Sequence, residues 1–204
     1  ADRGTGLGKP LKLINRPVRE RIPIVLAAIG PKNVALAAEI AEGWAPLFYL
    51  PEKAAEVWGP ALAAGKARRD PALGGLDVIV QTTLAIDEGV AEAREALRSM
   101  AALYIGGMGA RGRNFYNDLA RRYGYEKEAG LIQDLYLSGR KEEAAAAVPA
   151  ELVENLSLAG PEGFVRERIA ALRESGVTTL NVTPFGRTHA DRVRLIERLK
   201  ELAA

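Results

Sequence analysis

Gly30-Pro31-Lys32-Asn33 brings together residue types suited to capturing an anion. Glycine has no Cβ and lets a ligand approach the backbone, and proline at a helix start gives up an N–H that would have had no partner there. A helix beginning at Pro31 points the N–H groups of Lys32, Asn33 and Val34 outward from its positive end, and Lys32 adds a mobile charge beside them. The preceding run, Pro23 to Ala28, is short and apolar, as expected of a strand covered on both faces of a parallel sheet. The anion site would then sit at the C-terminal end of a strand. The local residues leave a plainer reading open, in which Gly-Pro only starts a helix. Gly160-Pro161 provides a comparison: it also opens a helix, but it follows the partly polar stretch Asn155 to Ala159, so it is expected away from any sheet end.

Three other groups have chemical potential. Gly107-Met108-Gly109-Ala110-Arg111-Gly112 matches the dinucleotide pattern GxGxxG, yet it follows a helical stretch where the mechanism needs a strand, so a flexible glycine-rich turn is the favoured reading. Arg111 and Arg113 beside it are candidates for gripping carboxylates of an acidic ligand, against the plainer reading of a solvated face. His189, the single histidine, and Arg187 lie in the loop FGRTHA; they are either active-face residues or the start of the last helix. One histidine and no cysteine draw no metal site, and no nucleophile-elbow or metalloprotease pattern occurs.

The elements that must position these residues alternate strand and helix. Trp44 to Leu50 reads as a second apolar strand, followed by a helix from Pro51 that Gly59-Pro60 should divide. Leu76 to Ile86 is rich in β-branched residues and reads as a third strand, and Asp87-Glu88 starts a long helix with Val90, Ala93, Leu97, Met100, Ala101 and Tyr104 at helical spacing. Beyond a mainly helical stretch, Phe164, Val165, Ile169 and Leu172 mark a helix ending at Gly176; Val177 to Thr183 is the fourth strand, and a helix from about Ala190 to Leu202 closes the chain. Strand–helix alternation implies parallel pairing through right-handed crossovers, and so an α/β fold. Four strands fit an open sheet or half of a barrel of eight.

The chain has 204 residues, 48% hydrophobic and 26% charged, with a net charge of +2. Basic and acidic residues are interleaved along helices, which disfavours nucleic acid as a partner. No apolar run approaches 18 residues and no signal segment is present, so a membrane is not an expected partner and the cytoplasm is the default location. The opening residues, 1–21, are glycine-rich and then basic, and read as a connecting loop.

Residues 22–46 (IPIVLAAIGPKNVALAAEIAEGWAP), 102–129 (ALYIGGMGARGRNFYNDLARRYGYEKEA) and 160–186 (GPEGFVRERIAALRESGVTTLNVTPFG) resemble, in that order, the C-terminal part of the luciferase-like family of flavin- and F420-dependent oxidoreductases. The middle segment is particular to the branch using the deazaflavin coenzyme F420. The resemblance implies a TIM (β/α)8 barrel of which this chain supplies the second half. Residues 1–21 are then the connecting loop, 22–106 the βα units, 107–156 a mainly helical insertion and 157–204 the last βα unit. It further implies hydride transfer between F420 and an organic small-molecule substrate, with flavin mononucleotide (FMN) monooxygenation, or a non-catalytic half-barrel that only binds coenzyme or phosphate, as the alternatives. The coenzyme phosphate would sit on the turn Ala27, Ala28, Ile29 and Gly30, with Lys32 and Asn33 beside it and Leu47 and Phe48 nearby. Ile29 stands where many relatives carry a second glycine. A homodimer is also implied. The catalytic residues are expected on the first four strands, which this stretch does not contain, so it reads as part of a longer protein. Half a barrel exposes two strand edges that any stable form should hide.

Overall fold

The computed structural model of the protein describes residues 8, 14–16, 18–19 and 21–204. The connecting loop expected over residues 1–21 lies mostly outside the described residues. Five parallel strands form the sheet: β1 (Val25–Ala27), β2 (Gly43–Ala45), β3 (Asp77–Ile86), β4 (Leu158–Gly160) and β5 (Thr179–Pro184). Between them run α1 (Pro31–Ile40), α2 (Pro51–Val57), α3 (Gly59–Lys66), α4 (Val90–Ala102), α5 (Phe115–Arg122), α6 (Glu126–Leu137), α7 (Lys141–Ala146), α8 (Ala150–Asn155), α9 (Glu162–Glu174) and α10 (His189–Ala203). All pairings are parallel, so every return crosses through helix.

β3 is the spine. β2 pairs with its first residues and β4 with its last, while β5 runs along residues 79–84. Asp77 donates its N–H to Glu42 on the β2 side and Asp87 donates to Gly160 of β4. These residues have the same parity along the chain, so β2 and β4 share one edge of β3 and β5 takes the other.

Register sorts the side chains. Leu26, Trp44 and Val78 align on one face, continued by Val80, Thr82 and Leu84, and this face packs against the helices in the main core. The opposite face carries Val25, Ala27, Ile79, Gln81, Thr83, Thr179, Asn181 and Thr183, and nothing among the described residues covers it. The expectation that β1 is buried on both faces is therefore corrected. Val25 is 44% exposed and Ile24 is 60% exposed. An apolar run reports how a strand face is suited, whereas exposure depends on whether a second layer is present.

The strand count is also corrected, from four to five. β4 is three residues long, fully buried, and paired to the end of β3. Gly160-Pro161 thus stands at the end of a sheet strand, as Gly30-Pro31 follows β1. β1 and β2 are shorter than their apolar runs; β2 ends at Ala45, before Pro46 and a bend at Phe48, whose φ is 55°. The division of α2 from α3 falls at Gly59-Pro60 as proline chemistry requires, with Trp58 fully buried at the joint. α3 then packs tightly on α1 through Gly65, where an added Cβ would lie 2.1 Å from the Ala35 carbonyl oxygen. Helices α5 to α8 occupy residues 115–155, the stretch read as a helical insertion. No described helix is long and apolar enough to cross a membrane.

Candidate functional site

A cleft of about 240 Å³ opens at the C-terminal ends of β1 and β2, lined by Ala27, Ala28, Ile29, Gly30, Asn33, Ala45, Leu47, Phe115 and Tyr116. The strand end is pinned from below: the fully buried Trp44 donates its indole N–H to the Ala28 carbonyl at 3.0 Å. Trp44 is held in turn by edge contacts with Tyr49 and Trp58, at centroid distances of 6.2 and 5.3 Å. Gly30 caps α1 in an extended conformation and Pro31 takes the first helical position.

Of the three N–H groups expected to be free, Lys32 and Asn33 have no hydrogen-bond partner among the described residues. Val34 is corrected: it donates to the Gly30 carbonyl at 2.9 Å, the first regular bond of the helix. The first turn of α1 contains no acidic residue. By contrast, α9, which follows the other Gly-Pro pair, carries Glu162 in its first turn, itself paired with Arg198 at 2.5 Å. The positive end of α1 is thus uncompensated by the protein while that of α9 is compensated.

Among the residues suggested by sequence, Ala27, Ala28, Ile29, Gly30, Asn33 and Leu47 converge on this cleft. Lys32 is exposed on the first turn and does not line it. Phe48 does not line it: its ring is buried and turned into an aromatic cluster with Tyr104 and Tyr116, at centroid distances of 5.6 and 6.1 Å. Its backbone is held by Tyr123, whose hydroxyl donates to the Phe48 carbonyl at 2.7 Å. Burial pushes the Tyr123 phenol well above its ordinary value, with the Leu50 amide and the Trp58 indole acting the other way. The Trp58 indole N–H itself lacks a partner with hydrogen-bond geometry, so the Phe48 carbonyl is the bond that matters. Tyr116 packs edge-on to Tyr104 at 4.7 Å, and burial, then Tyr104, raises its pKa, so at neutral pH it is a protonated donor.

Phe115, Tyr116 and Ala45 were not singled out by sequence. A detectable signal was Asn114 followed by two aromatics, a helix cap with an apolar residue at the first helical position. Asn114 is buried, accepts from the Tyr116 and Asn117 N–H groups, and donates to the Tyr104 and Ile105 carbonyls at 2.9 and 3.0 Å. Those carbonyls belong to a π-helical turn, Leu103–Gly107, and lie in the last turn of the helix, where no later N–H is available to them.

The glycine-rich segment is packed where it overlaps this turn and again at Gly109, where an added Cβ would lie 2.6 Å from the Arg113 carbonyl oxygen, which corrects the flexible reading there, while Gly112 has open space around it. Added Cβ atoms at Gly106 and Gly107 would lie 2.5 and 2.4 Å from the Tyr136 side chain. No strand precedes it, so the dinucleotide mechanism is absent. Arg111 forks onto Asp134 at the surface at 2.7 Å, and the exposed Arg113 does not line the cleft. His189 is the exposed first residue of α10, after a Thr188–Asp191 capping box. Arg187 lines a larger cavity of about 600 Å³ near the ends of β3 and β5. In that cavity Arg198 pairs with Glu162 and Arg194 with Asp191, and Asp87, Glu88 and Glu92 leave its lining with more acidic than basic residues, which makes it less suited to an anion than the smaller cleft. Among the described residues no group of acidic or histidine side chains could hold a metal.

Comparison with known proteins agrees with this placement of strands and helices. Residues 5–179 match the model of the luciferase-like monooxygenase family. A Mycobacterium tuberculosis protein that carries the provisional name of coenzyme F420-dependent oxidoreductase is 43% identical over 182 residues, 88% of this chain and 52% of that protein. The 5,10-methylenetetrahydromethanopterin reductase of Archaeoglobus fulgidus is 26% identical over 181 residues, 86% of this chain and 52% of its own. Among solved structures, the coenzyme F420-dependent tetrahydromethanopterin reductase of Methanopyrus kandleri superposes with a TM-score of 0.64 at 25% identity, over 86% of this chain and 49% of that one. An F420-dependent secondary alcohol dehydrogenase superposes at 0.61 with 15% identity, over 91% of this chain and 50% of that one, a likeness of fold alone. The chain spans about half the length of the relatives it matches. Its fold is the parallel α/β fold of these barrel reductases, and the chain belongs to the luciferase-like monooxygenase family.

Proposed function

We propose that this chain forms the phosphate-holding half of an F420-dependent oxidoreductase. The observation that carries the reading is the cleft at the ends of β1 and β2, beside which the free N–H groups of Lys32 and Asn33 form the uncompensated start of α1. The relatives' F420-related names make the coenzyme phosphate the fitting occupant. When bound, the deazaflavin carries a hydride at C5 to or from an organic substrate, and the protein supplies orientation and exclusion of water. This chain's residues do the first of these tasks. Gly30 and Asn33 hold the phosphate by backbone N–H and close approach, Ile29 and Leu47 give it apolar walls, and exposed Lys32 attracts it from a distance in a salt-dependent way. A cleft of about 240 Å³ is smaller than the roughly 300–1,000 Å³ that encloses a whole ligand, which suits one end of an extended coenzyme whose ring lies elsewhere.

The test is a fluorescence titration of F420, with FMN alongside, into the protein as its gene encodes it. Saturable F420 binding with weak FMN affinity supports the reading, and preference for FMN moves the protein to the flavin monooxygenases. Gly30→Asp and Lys32→Glu should weaken F420 binding more than Arg166→Glu or Arg173→Glu on α9. Equal losses at both places would remove the phosphate argument.

A further inference from the structure

We propose that Phe115 is a fixed cover for the phosphate cleft, retaining the coenzyme by shielding the phosphate–amide contacts from water; this rests on the reading just given. Phe115 is 65% exposed although it is large and apolar, and it opens helix α5 of the insertion. Its ring borders the cleft on the side of Gly30, where the position of an added Cβ lies 3.4 Å from the ring's Cε1 atom. Gly30 therefore leaves no side chain between its backbone and the aromatic ring, so a ligand on the Gly30 turn meets the ring directly.

The mounting of the ring is rigid, unlike that of an exposed aromatic on a loose loop. Asn114, immediately before it, is buried with four hydrogen bonds. Asn117, also buried, donates to the Ile105 and Ala129 carbonyls at 3.0 and 2.7 Å. Tyr116, immediately after, is wedged edge-on between Phe48 and Tyr104. The apolar ring is thus held toward solvent beside free N–H donors, and a ligand in the cleft would bury it. Excluding water there strengthens hydrogen bonds to a charged phosphate, because they then act in a medium of lower dielectric constant. Such a cover acts on escape more than on encounter, since encounter is governed by diffusion and long-range charge.

The experiment is stopped-flow fluorescence of F420 binding to the protein as its gene encodes it, for the wild type, Phe115→Ala, Phe115→Leu and Gly30→Asp. Phe115→Ala should dissociate about tenfold faster with association changed less than about twofold. Phe115→Leu should restore part of the retention, and the melting temperatures of both should stay at the wild-type value because the ring is mostly exposed. A Phe115→Ala protein that releases F420 at the wild-type rate, while Gly30→Asp loses binding, overturns the cover and leaves the phosphate site standing. Wild-type protein that takes up no F420, or Gly30→Asp that binds as the wild type does, overturns the site itself and the cover with it.

Discussion

Tyr123→Phe removes a single oxygen atom and tests how the end of β2 is held. The hydroxyl donates at 2.7 Å to the carbonyl of Phe48, a residue with φ of 55° in a region that side chains other than glycine rarely occupy. Losing one partner of a buried hydrogen bond costs about 1–3 kcal/mol, because the remaining carbonyl is left without water or a donor. Backbone strain of order 1–3 kcal/mol at such a residue persists only while its surroundings enforce it. Phenylalanine keeps the ring and its packing, so no cavity term is added. The expected loss is about 2 kcal/mol, towards the middle of the range for an unsatisfied buried acceptor. Urea unfolding at pH 7 reads it directly. With a slope of roughly 2 kcal/mol per molar, the midpoint should fall by about 1 M at unchanged slope. A midpoint shift under about 0.3 M would refute the reasoning, since it would mean that the Phe48 turn holds itself without the Tyr123 bond.

Gly65→Ala should destabilise despite alanine's helical advantage of about 1 kcal/mol, because the new Cβ would meet the Ala35 carbonyl oxygen at 2.1 Å and the Ala38 Cβ at 2.7 Å and force α3 off α1. A net loss of about 1–2 kcal/mol and a lower melting temperature are expected, and a rise in melting temperature would contradict the packing. Asn114→Ala removes a helix cap and strands two carbonyls of the π-helical turn, so a loss of about 2–4 kcal/mol is expected, with faster hydrogen exchange at the Tyr116 and Asn117 amides. Alkaline pH should weaken the fold. The Tyr123 phenol is raised above its ordinary value of 10.0 by burial, and Tyr49 is raised by burial against an opposing Ser175 hydrogen bond. Below that value folded and unfolded chains are both protonated and the contribution is fully present. Above it the unfolded chain ionises first, and stability is lost as pH climbs toward the folded-state values. Urea midpoints at rising pH from 9 to 11 should fall, and should fall less in Tyr123→Phe.

Where a single principle decides an element, the residues revealed it. β-Branched density in residues 76–86 marked β3, apolar spacing marked α4 and α9, and Gly59-Pro60 placed the break between α2 and α3. The Gly30 turn was legible because proline and glycine chemistry is local. β4 was not, since Leu158–Gly160 is too short for a period and owes its strand form to pairing with the end of β3. The bend at Phe48 was also hidden: a positive φ at a bulky residue is supported by the Tyr123 bond, 75 positions away in the chain, and by Tyr104 and Tyr116 of the aromatic cluster. The π-helical turn misled in the same way. Gly107 read as the start of a free turn, whereas Tyr136 packed against it and against Gly106 makes both a requirement of close approach.

The insertion and the strand ends are coupled, and this gives Phe115 and Asn114 different consequences. Residues 115–155 reach the C-terminal side of the sheet through Tyr123 on Phe48 and through Phe115 on Gly30. Both contacts fall at the turns that frame the cleft, so the insertion supplies one wall of it and the βα turns the other. Asn114 acts from inside the core: its loss releases the π-helical turn, the start of α5 and the Tyr104–Tyr116 pair together. Phe115 acts from the surface, where little of the native packing depends on it. Substitution at Asn114 should therefore lower stability and ligand retention in parallel, while substitution at Phe115 lowers retention alone. A wall built only as a by-product of folding would show the first pattern at both positions; a wall that meets the ligand separates them.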